Sequence, residues 1–193
     1  MTAVATERSR VLLITGAGHD VRTRRMIRLS QELLEAEGVE VDMLDPDRHQ
    51  ATDVYEKWLF AHAVIVIAPA GEAPVPSHFR QPIDRMAGAG YPAQLANRAY
   101  GVVVHGDDAR AEESRRALND WFDAMGMVDS DSFAILDRHL GYHEPAVGDE
   151  PARKGDDDYQ AEVRNVARAV ANAVTELRAG RLSPPERRAR SAA

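Results

Sequence analysis

The amino-acid sequence predicts an α/β protein with a doubly wound, five-stranded parallel sheet in the order 2-1-3-4-5 and with helices on both faces. Short apolar runs alternate with longer amphipathic segments, which is typical of repeated strand–helix–strand units. The runs VLLIT, AVIVI and GVVVH are apolar almost throughout, so we expect them to be central strands that are covered on both faces. Right-handed crossovers leave few topologies for five such strands, and the order 2-1-3-4-5 fits their number best.

Five strands are predicted where apolar or alternating runs are bounded by residues that interrupt regular structure. They are RVLLIT (residues 10–15), VEVDML (39–44), AVIVIAP (63–69), AYGVVVHG (99–106) and SFAIL (132–136). The first of these runs ends at Gly16 and the second at Pro46. The second run alternates between apolar and polar residues, which is the period of a strand.

Five helices are predicted from apolar residues that recur at three- and four-residue spacing. The first carries Met26, Leu29, Leu33 and Leu34 and stops at Gly38. The others are expected over residues 52–61, over 77–86 with an interruption at Pro82, from Asp107 or Asp108 through Met125, and from residue 156 through Leu177. Trp58, Trp121 and Phe122 lie at helical spacing with other apolar residues, so we interpret them as core or dimer interface.

The composition indicates one globular domain. A length of 193 residues suits a single domain, which we expect over residues 1–179, with a loose tail rich in Pro and Arg over 180–193. With 44% hydrophobic and 28% charged residues the chain can form a core and a polar surface. The sequence contains no cysteine, which excludes disulfides, thiolate metal sites and a cysteine nucleophile.

Charge and hydropathy also restrict the partners and the location of the protein. A net charge of −7 argues against nucleic acid as the main partner. The longest apolar run, AVIVIA, is too short to span a membrane. The first ten residues lack the apolar stretch of a secretory signal. We therefore expect a cytoplasmic protein that acts on a small molecule.

The ligand site of such a sheet lies beyond the carboxyl ends of strands 1, 3 and 4. The sequences at those ends are GAGHDVRTRR, PAGEAPVPSH and HGDDARAEE. The first lacks the Gly-Lys-Ser/Thr ending of a P-loop, and Val21 stands where a dinucleotide fingerprint needs its third glycine. What remains is a glycine-containing turn before a helix, where Arg22 and Thr23 would favour an anion. The alternative is a plain turn with a solvated, arginine-rich face, and this segment alone does not separate the two.

The chain resembles the flavodoxin-like NAD(P)H-dependent oxidoreductases, a group that includes NADPH-dependent FMN reductases. The segments that carry the resemblance are VYEKWLFAHAVIVIAP, FRQPIDRM, AYGVVVHGD, ALNDWFDAMGM and LDRHLGYHEP. The resemblance implies that FMN is the cofactor, with its phosphate in the first loop and its ring between the loops after strands 3 and 4. The residues implied for the phosphate are Gly16, His19, Arg22 and Thr23. Those implied for the ring are Pro69, Ala70, Gly71, Glu72, His105, Gly106 and Asp107.

Two loops depart from the pattern of this group. Relatives place an aromatic residue just after the proline that ends strand 3, whereas this chain has Ala70, Gly71, Glu72 and Ala73. Relatives carry several Ser or Thr hydroxyls in the first loop, whereas this chain has mainly His, Asp and Arg. Both departures fall on the expected flavin site, so either flavin binding is altered or the scaffold has lost flavin.

Glu72 is the residue that these departures single out. It is either an exposed loop charge or a general acid/base in the pocket, and Pro74 and Pro76 stiffen its loop. We take Glu72, His105 and His143 as candidate catalytic residues.

The segment Tyr142–Glu144 either covers the cleft or forms a packed turn. The histidines lack the tight spacing of a metal site, so we expect no metal.

The function implied by the resemblance is an FMN-dependent NAD(P)H oxidoreductase that reduces a small electrophile such as a quinone. NAD(P)H would be the reductant and FMN would carry the hydride. The alternatives are a flavin-free enzyme that uses Glu72 and histidines for acid/base chemistry on a small metabolite, and a non-catalytic partner subunit. We also expect a homodimer, since small oxidoreductases of this group usually pair.

Overall fold

The computed structural model describes residues 9–15, 20–45, 49, 51–71, 80, 96–106, 108–130 and 156–178. Within these ranges the chain forms five strands and four helices. In chain order they are β1 (Arg10–Thr15), α1 (Val21–Ala36), β2 (Glu40–Leu44), α2 (Ala51–Phe60), β3 (Ala63–Pro69), β4 (Ala99–His105), α3 (Asp108–Ala124), β5 (Val128–Asp129) and α4 (Asp156–Arg178).

The strands form one parallel sheet in the order β2-β1-β3-β4-β5, which confirms the predicted fold class and topology. β1, β3 and β4 are the central strands, and nearly all of their residues are buried. Their continuous apolar character is explained by this position, because helices cover both faces. In the register of β3 and β4, Pro69 pairs with His105, so both strands end at the same edge.

Alternate residues of the central strands enter two separate cores. Leu12, Val64 and Val102 face one core, which contains Trp58 of α2 and Phe122 of α3. That core also contains Trp121. The three aromatic residues are therefore core residues, which is one of the two interpretations that their spacing allowed.

The second core lies between the sheet and the helices α1 and α4. Leu13, Ile65 and Val103 of the strands meet Met26 of α1 and Val170 of α4 there. The period of two along each strand explains why neighbouring residues contribute to different cores.

The α4 helix packs very closely on β4 at Gly101. A Cβ atom added at Gly101 would lie 2.6 Å from Cγ1 of Val166 and 3.0 Å from Cγ2 of Val170. Distances this short leave no room for a methyl group, so a glycine in the middle of the buried strand allows the helix to approach.

A short fifth strand lies just before the segment where a strand was predicted. β5 is the two-residue strand Val128–Asp129, which pairs with Ala99 and Tyr100 of β4. Gly126 has a φ of 76°, and this left-handed turn ends α3 and returns the chain to the sheet after Met127. The predicted strand at residues 132–136 and the predicted helix at 77–86 lie outside the residues that the structure describes, apart from Arg80.

A helix that spans a bilayer needs about 20 consecutive, mostly apolar residues. None of the helices in the described ranges is long and apolar enough to cross a bilayer.

Candidate functional site

The carboxyl edge of the sheet brings the ends of β3 and β4 into direct contact. The Ala70 amide donates a hydrogen bond of 2.6 Å to the carbonyl oxygen of His105. Gly106 has a φ of 140°, and a Cβ atom placed there would lie 3.0 Å from the Cβ atom of Ala70. Glycine therefore suits this position both for its backbone angle and for the close approach of Ala70. Gly71 and Gly106 are exposed, so the edge presents small residues to the solvent.

The α1 helix begins at this same edge, and Asp20 is its N-cap. The Asp20 side chain accepts a hydrogen bond of 2.6 Å from the Thr23 amide through Oδ1. Aspartate is a preferred capping residue because its oxygen satisfies an amide that the helix leaves unpaired. The carboxylate is about half exposed, so it places a negative charge at the positive end of the helix.

His105 is buried beneath the first turn of α1. Its side chain is about 4% exposed, and its Nε2 atom lies 2.8 Å from the Thr23 hydroxyl oxygen. The same Nε2 atom lies 4.0 Å from Oδ2 of Asp20. Because Thr23 and Asp20 both approach Nε2, these three residues do not have the geometry of a catalytic triad, in which the acid binds the other ring nitrogen.

The surroundings of His105 favour a neutral imidazole. Burial lowers the pKa of His105, the Asp20 carboxylate opposes this effect, and the Arg22 guanidinium adds to it. A neutral imidazole can donate or accept one hydrogen bond at Nε2, and the Thr23 hydroxyl, which also donates to Asp20, can accept one from an Nε2–H group.

The pKa of Asp20 is shifted in the opposite direction from the shift that burial alone would give. Burial acts to raise the pKa of Asp20, but hydrogen bonds from the amide and hydroxyl of Thr23, the charge that His105 carries when it is protonated, and the amide of Arg22 outweigh it. The net effect lowers the pKa of Asp20 below its usual 3.8. The group is therefore a carboxylate at neutral pH.

Tyr159, from the first turn of α4, completes the described part of the site. Its hydroxyl accepts a hydrogen bond of 3.1 Å from the Gly106 amide and donates one of 3.2 Å to the Gly106 carbonyl oxygen. The ring is 2% exposed and lies edge-on to the His105 ring, with 5.9 Å between the ring centres. The Arg22 guanidinium lies over the Tyr159 ring, 5.1 Å from the ring centre.

Sequence reasoning did not identify Tyr159 or the capping role of Asp20. The available signal for Tyr159 was its place at the start of the apolar stripe of the last predicted helix, four residues before Val163. The signal for Asp20 was its type and its position just before the helix. Neither signal shows which residue the side chain will contact.

Seven of the residues that were expected to bind the cofactor are described, and they lie at the same edge of the sheet. They are Arg22, Thr23, Pro69, Ala70, Gly71, His105 and Gly106. Gly16, His19, Glu72, Asp107 and His143 lie outside the described residues, as does the segment 142–144. Among the residues that are described, no group of three His, Asp or Glu side chains is placed to hold a metal ion.

Comparison with known families gives one match that covers more than half of the chain. The sequence profile of the NADPH-dependent FMN reductases matches residues 9–139. No curated protein matches the sequence significantly.

Solved structures with a similar fold are flavoproteins of low sequence identity. The structure of RosB with bound 8-demethyl-8-formylriboflavin-5′-phosphate has a TM-score of 0.63 at 13% identity, covering 89% of this chain and 81% of that one. The WrbA-like flavodoxin protein from Agrobacterium tumefaciens has a TM-score of 0.57 at 17% identity, covering 87% of this chain and 98% of that one. The flavodoxin from Streptococcus pneumoniae TIGR4 has a TM-score of 0.53 at 17% identity, covering 85% and 99%. At these identities the likeness shows the fold.

Proposed function

This chain belongs to the NADPH-dependent FMN reductase family, and from that premise we propose that it is an FMN-dependent NAD(P)H oxidoreductase that reduces a small electrophile such as a quinone. The observation that carries the proposal is the edge where the ends of β3 and β4 meet the start of α1. Ala70, Gly106 and Arg22 lie within one network of contacts there. Ligands of doubly wound sheets bind at this edge.

At the ring end, the described residues fit a flat aromatic cofactor. Ala70, Gly71 and Gly106 carry little or no side chain, and the two glycines are exposed. The Ala70–His105 hydrogen bond holds the two loop starts together. A planar ring could therefore approach the backbone closely, which larger side chains at these positions would prevent.

At the phosphate end, the fit has one feature in favour and one against. Arg22 supplies a positive charge in the first turn of α1, where a helix N-terminus also favours an anion. Against this, Thr23 is fully buried, and its amide and hydroxyl are engaged by Asp20 and His105. A flavin phosphate at this end would thus share the helix terminus with the Asp20 carboxylate.

When bound, FMN would supply the hydride transfer between the nicotinamide and the substrate. In our proposal the chain supplies orientation and charge around it. Arg22 balances the phosphate, and Ala70, Gly71 and Gly106 leave room for the ring. His105 holds Thr23, and through it the first turn of α1, so we assign it a positioning role. Glu72 and His143 are the proposed acid/base candidates near the substrate.

The decisive experiment is to purify the protein and examine its flavin content. We expect yellow protein, or colourless protein that becomes yellow with added FMN, and oxidation of NADPH or NADH when a quinone is present. Comparing the two nicotinamides at equal concentration would show which one the enzyme prefers. Colourless protein that binds neither FMN nor riboflavin would overturn the proposal.

The Asp20 carboxylate at the phosphate end is the observation that favours the second candidate, a flavin-free enzyme that relies on Glu72. The variants Glu72→Gln and Glu72→Phe separate the two candidates. If flavin binds, Glu72→Phe should tighten FMN because it restores an aromatic contact of the order of 1 kcal/mol. If acid/base chemistry at Glu72 is essential, Glu72→Gln should abolish turnover in folded protein, because Gln keeps the shape and loses the titrating group.

The matched control for these variants is Glu113→Gln, which removes an exposed charge on α3. We expect it to change neither flavin affinity nor turnover. If both Glu72 variants behave like this control, Glu72 is an exposed loop charge and neither candidate depends on it.

A further inference from the structure

We propose that Tyr159 is a positioning residue that couples the two ends of the flavin site, with its hydroxyl fixing the Gly106 peptide and its ring fixing the Arg22 guanidinium. The inference rests on the proposed function, because it assigns Gly106 to the ring end and Arg22 to the phosphate end. It adds a residue of α4, far from both loops in the sequence, to the determinants of flavin binding.

The hydroxyl part of the proposal follows from two hydrogen bonds to one residue. The Gly106 amide donates to the Tyr159 oxygen at 3.1 Å, and the Tyr159 hydroxyl donates to the Gly106 carbonyl at 3.2 Å. A single side-chain atom that binds both groups of one residue restrains the backbone angles on both sides of its Cα atom. Glycine needs such a restraint more than any other residue, because it has the greatest freedom to lose. Gly106 is also exposed, at a φ of 140°.

The ring part of the proposal follows from the position of Arg22. The Arg22 guanidinium lies 5.1 Å from the Tyr159 ring centre, within the range of a cation–π contact. The ring itself cannot move easily, since it is 2% exposed and packs edge-on against the His105 ring at an interplanar angle of 77°. The contact therefore limits the conformations of a long, exposed side chain and keeps its charge near the start of α1.

These two contacts predict different effects for two variants of the same residue. Tyr159→Phe keeps the ring and loses the hydroxyl, so it should weaken FMN and riboflavin equally, by about tenfold for two hydrogen bonds. Tyr159→Leu loses the ring as well, so it should weaken FMN by about a further fivefold while leaving riboflavin at the level of Tyr159→Phe. Riboflavin lacks the phosphate, so a change in the ratio of the two affinities reports on the phosphate end, where Arg22 lies.

Hydrogen exchange of the Gly106 amide in flavin-free protein tests the hydroxyl part without any cofactor. We expect the exchange rate to rise at least about tenfold in Tyr159→Phe, because the amide loses its partner. The matched control is Tyr100→Phe. Tyr100 lies on β4 and is as buried as Tyr159, but its hydroxyl donates to Asp123 Oδ1 at 2.9 Å on the opposite face of the sheet. The variant Tyr100→Phe should change neither the exchange rate of the Gly106 amide nor the affinity for FMN or riboflavin.

Arg22→Gln tests the ring part independently of the packing of Tyr159. It removes the charge from an exposed side chain, so it should reduce the ratio of FMN to riboflavin affinity as Tyr159→Leu does. In the double variant the second substitution should add little to the change in this ratio, since both substitutions remove the same contact between Arg22 and Tyr159.

The inference is overturned if Gly106 exchanges equally fast in Tyr159→Phe and in the wild type, or if the FMN-to-riboflavin ratio is the same in all variants. Failure of the proposed function has a different signature, namely wild-type protein that binds neither flavin. In that case the exchange of Gly106 still decides whether Tyr159 fixes the peptide, and the coupling of two flavin subsites is refuted.

Discussion

The imidazole of His105 occupies a position where a positive charge would be costly. Its surroundings combine burial, the nearby Arg22 guanidinium and a single partially compensating carboxylate from Asp20. A histidine with this environment stabilises the folded protein only while it is neutral.

This environment predicts how stability depends on pH. The unfolded pKa of His105 is about 6.5 and the folded pKa is lower, so the unfolded state binds more protons between the two values. Stability should therefore be greatest above about pH 6.5 and should fall as the pH decreases through the folded pKa. Urea midpoints between about pH 8 and about pH 5 would measure this fall.

The variant His105→Gln serves as the control, because it retains a hydrogen-bonding group towards Thr23 and cannot titrate. The stability of the variant should depend less on pH in this range than the stability of the wild type. Asp20 does not contribute to the comparison, since its lowered pKa keeps it ionised over the range. An unchanged slope in His105→Gln would contradict the assignment of the effect to His105.

Asp20 gives rise to a prediction about ligand charge. Serine caps helices about as well as aspartate, so Asp20→Ser should keep the start of α1 and remove the negative charge. FMN should bind about fivefold more tightly, because the phosphate no longer meets the carboxylate, and riboflavin should bind unchanged. Titration of flavin fluorescence measures both affinities.

The control for this variant is Glu37→Gln, which removes a charge from an exposed residue at the other end of the same helix. It should leave both affinities unchanged. Equal effects of Asp20→Ser on FMN and riboflavin would show that the carboxylate does not oppose the phosphate.

The helix α4 and the strand β4 are in very close contact at Gly101. The space at Gly101 is filled by the Val166 and Val170 side chains, which leaves no room for a methyl group. We expect Gly101→Ala to destabilise the protein by about 1–3 kcal/mol, since helix or strand must shift. The change in urea midpoint measures this loss.

Val166→Ala provides the test of this explanation, because it removes the atom that a Cβ at Gly101 would meet first. In the double variant, Gly101→Ala should cost less than it does alone, which a double-mutant cycle would detect. Additive effects would show that the loss arises elsewhere.

Elements of this fold differed in how well the sequence predicted them. β1, β3 and β4 were predictable, because a strand buried on both faces must be apolar at nearly every position. The strand β5 has two residues, too few to show any period, and its start depends on the turn at Gly126.

The location of the candidate site was predictable from the sequence, whereas its side-chain contacts were less predictable. Its location follows from topology alone, since the carboxyl ends of parallel strands meet at one edge. The bond between Thr23 and His105 joins residues 82 positions apart, and the bonds between Gly106 and Tyr159 join residues 53 apart. Such contacts depend on how α1 and α4 pack, which no local pattern encodes. The bond of the Thr23 hydroxyl to His105 is one such contact, and the resemblance that implied Thr23 at the phosphate did not indicate it.

At the scale of the whole molecule, we predict a homodimer. A site that is lined by three loops at the edge of one sheet would gain a further wall from a partner, and twofold pairing is the commonest arrangement of such assemblies. Light scattering across working concentrations should give twice the chain mass of 21.2 kDa. A mass equal to one chain at all concentrations would contradict this prediction.

The position of α4 in the sequence has a consequence for the newly made chain on the ribosome. The strands β1, β3 and β4 are complete at His105, but the helix that covers much of one face ends at Arg178. At about 5–20 residues per second, synthesis of the intervening segment takes on the order of ten seconds. During that interval Ile65, Val103 and their neighbours lack their final cover from α4, so we expect the nascent chain to bind chaperones that recognise exposed apolar surface.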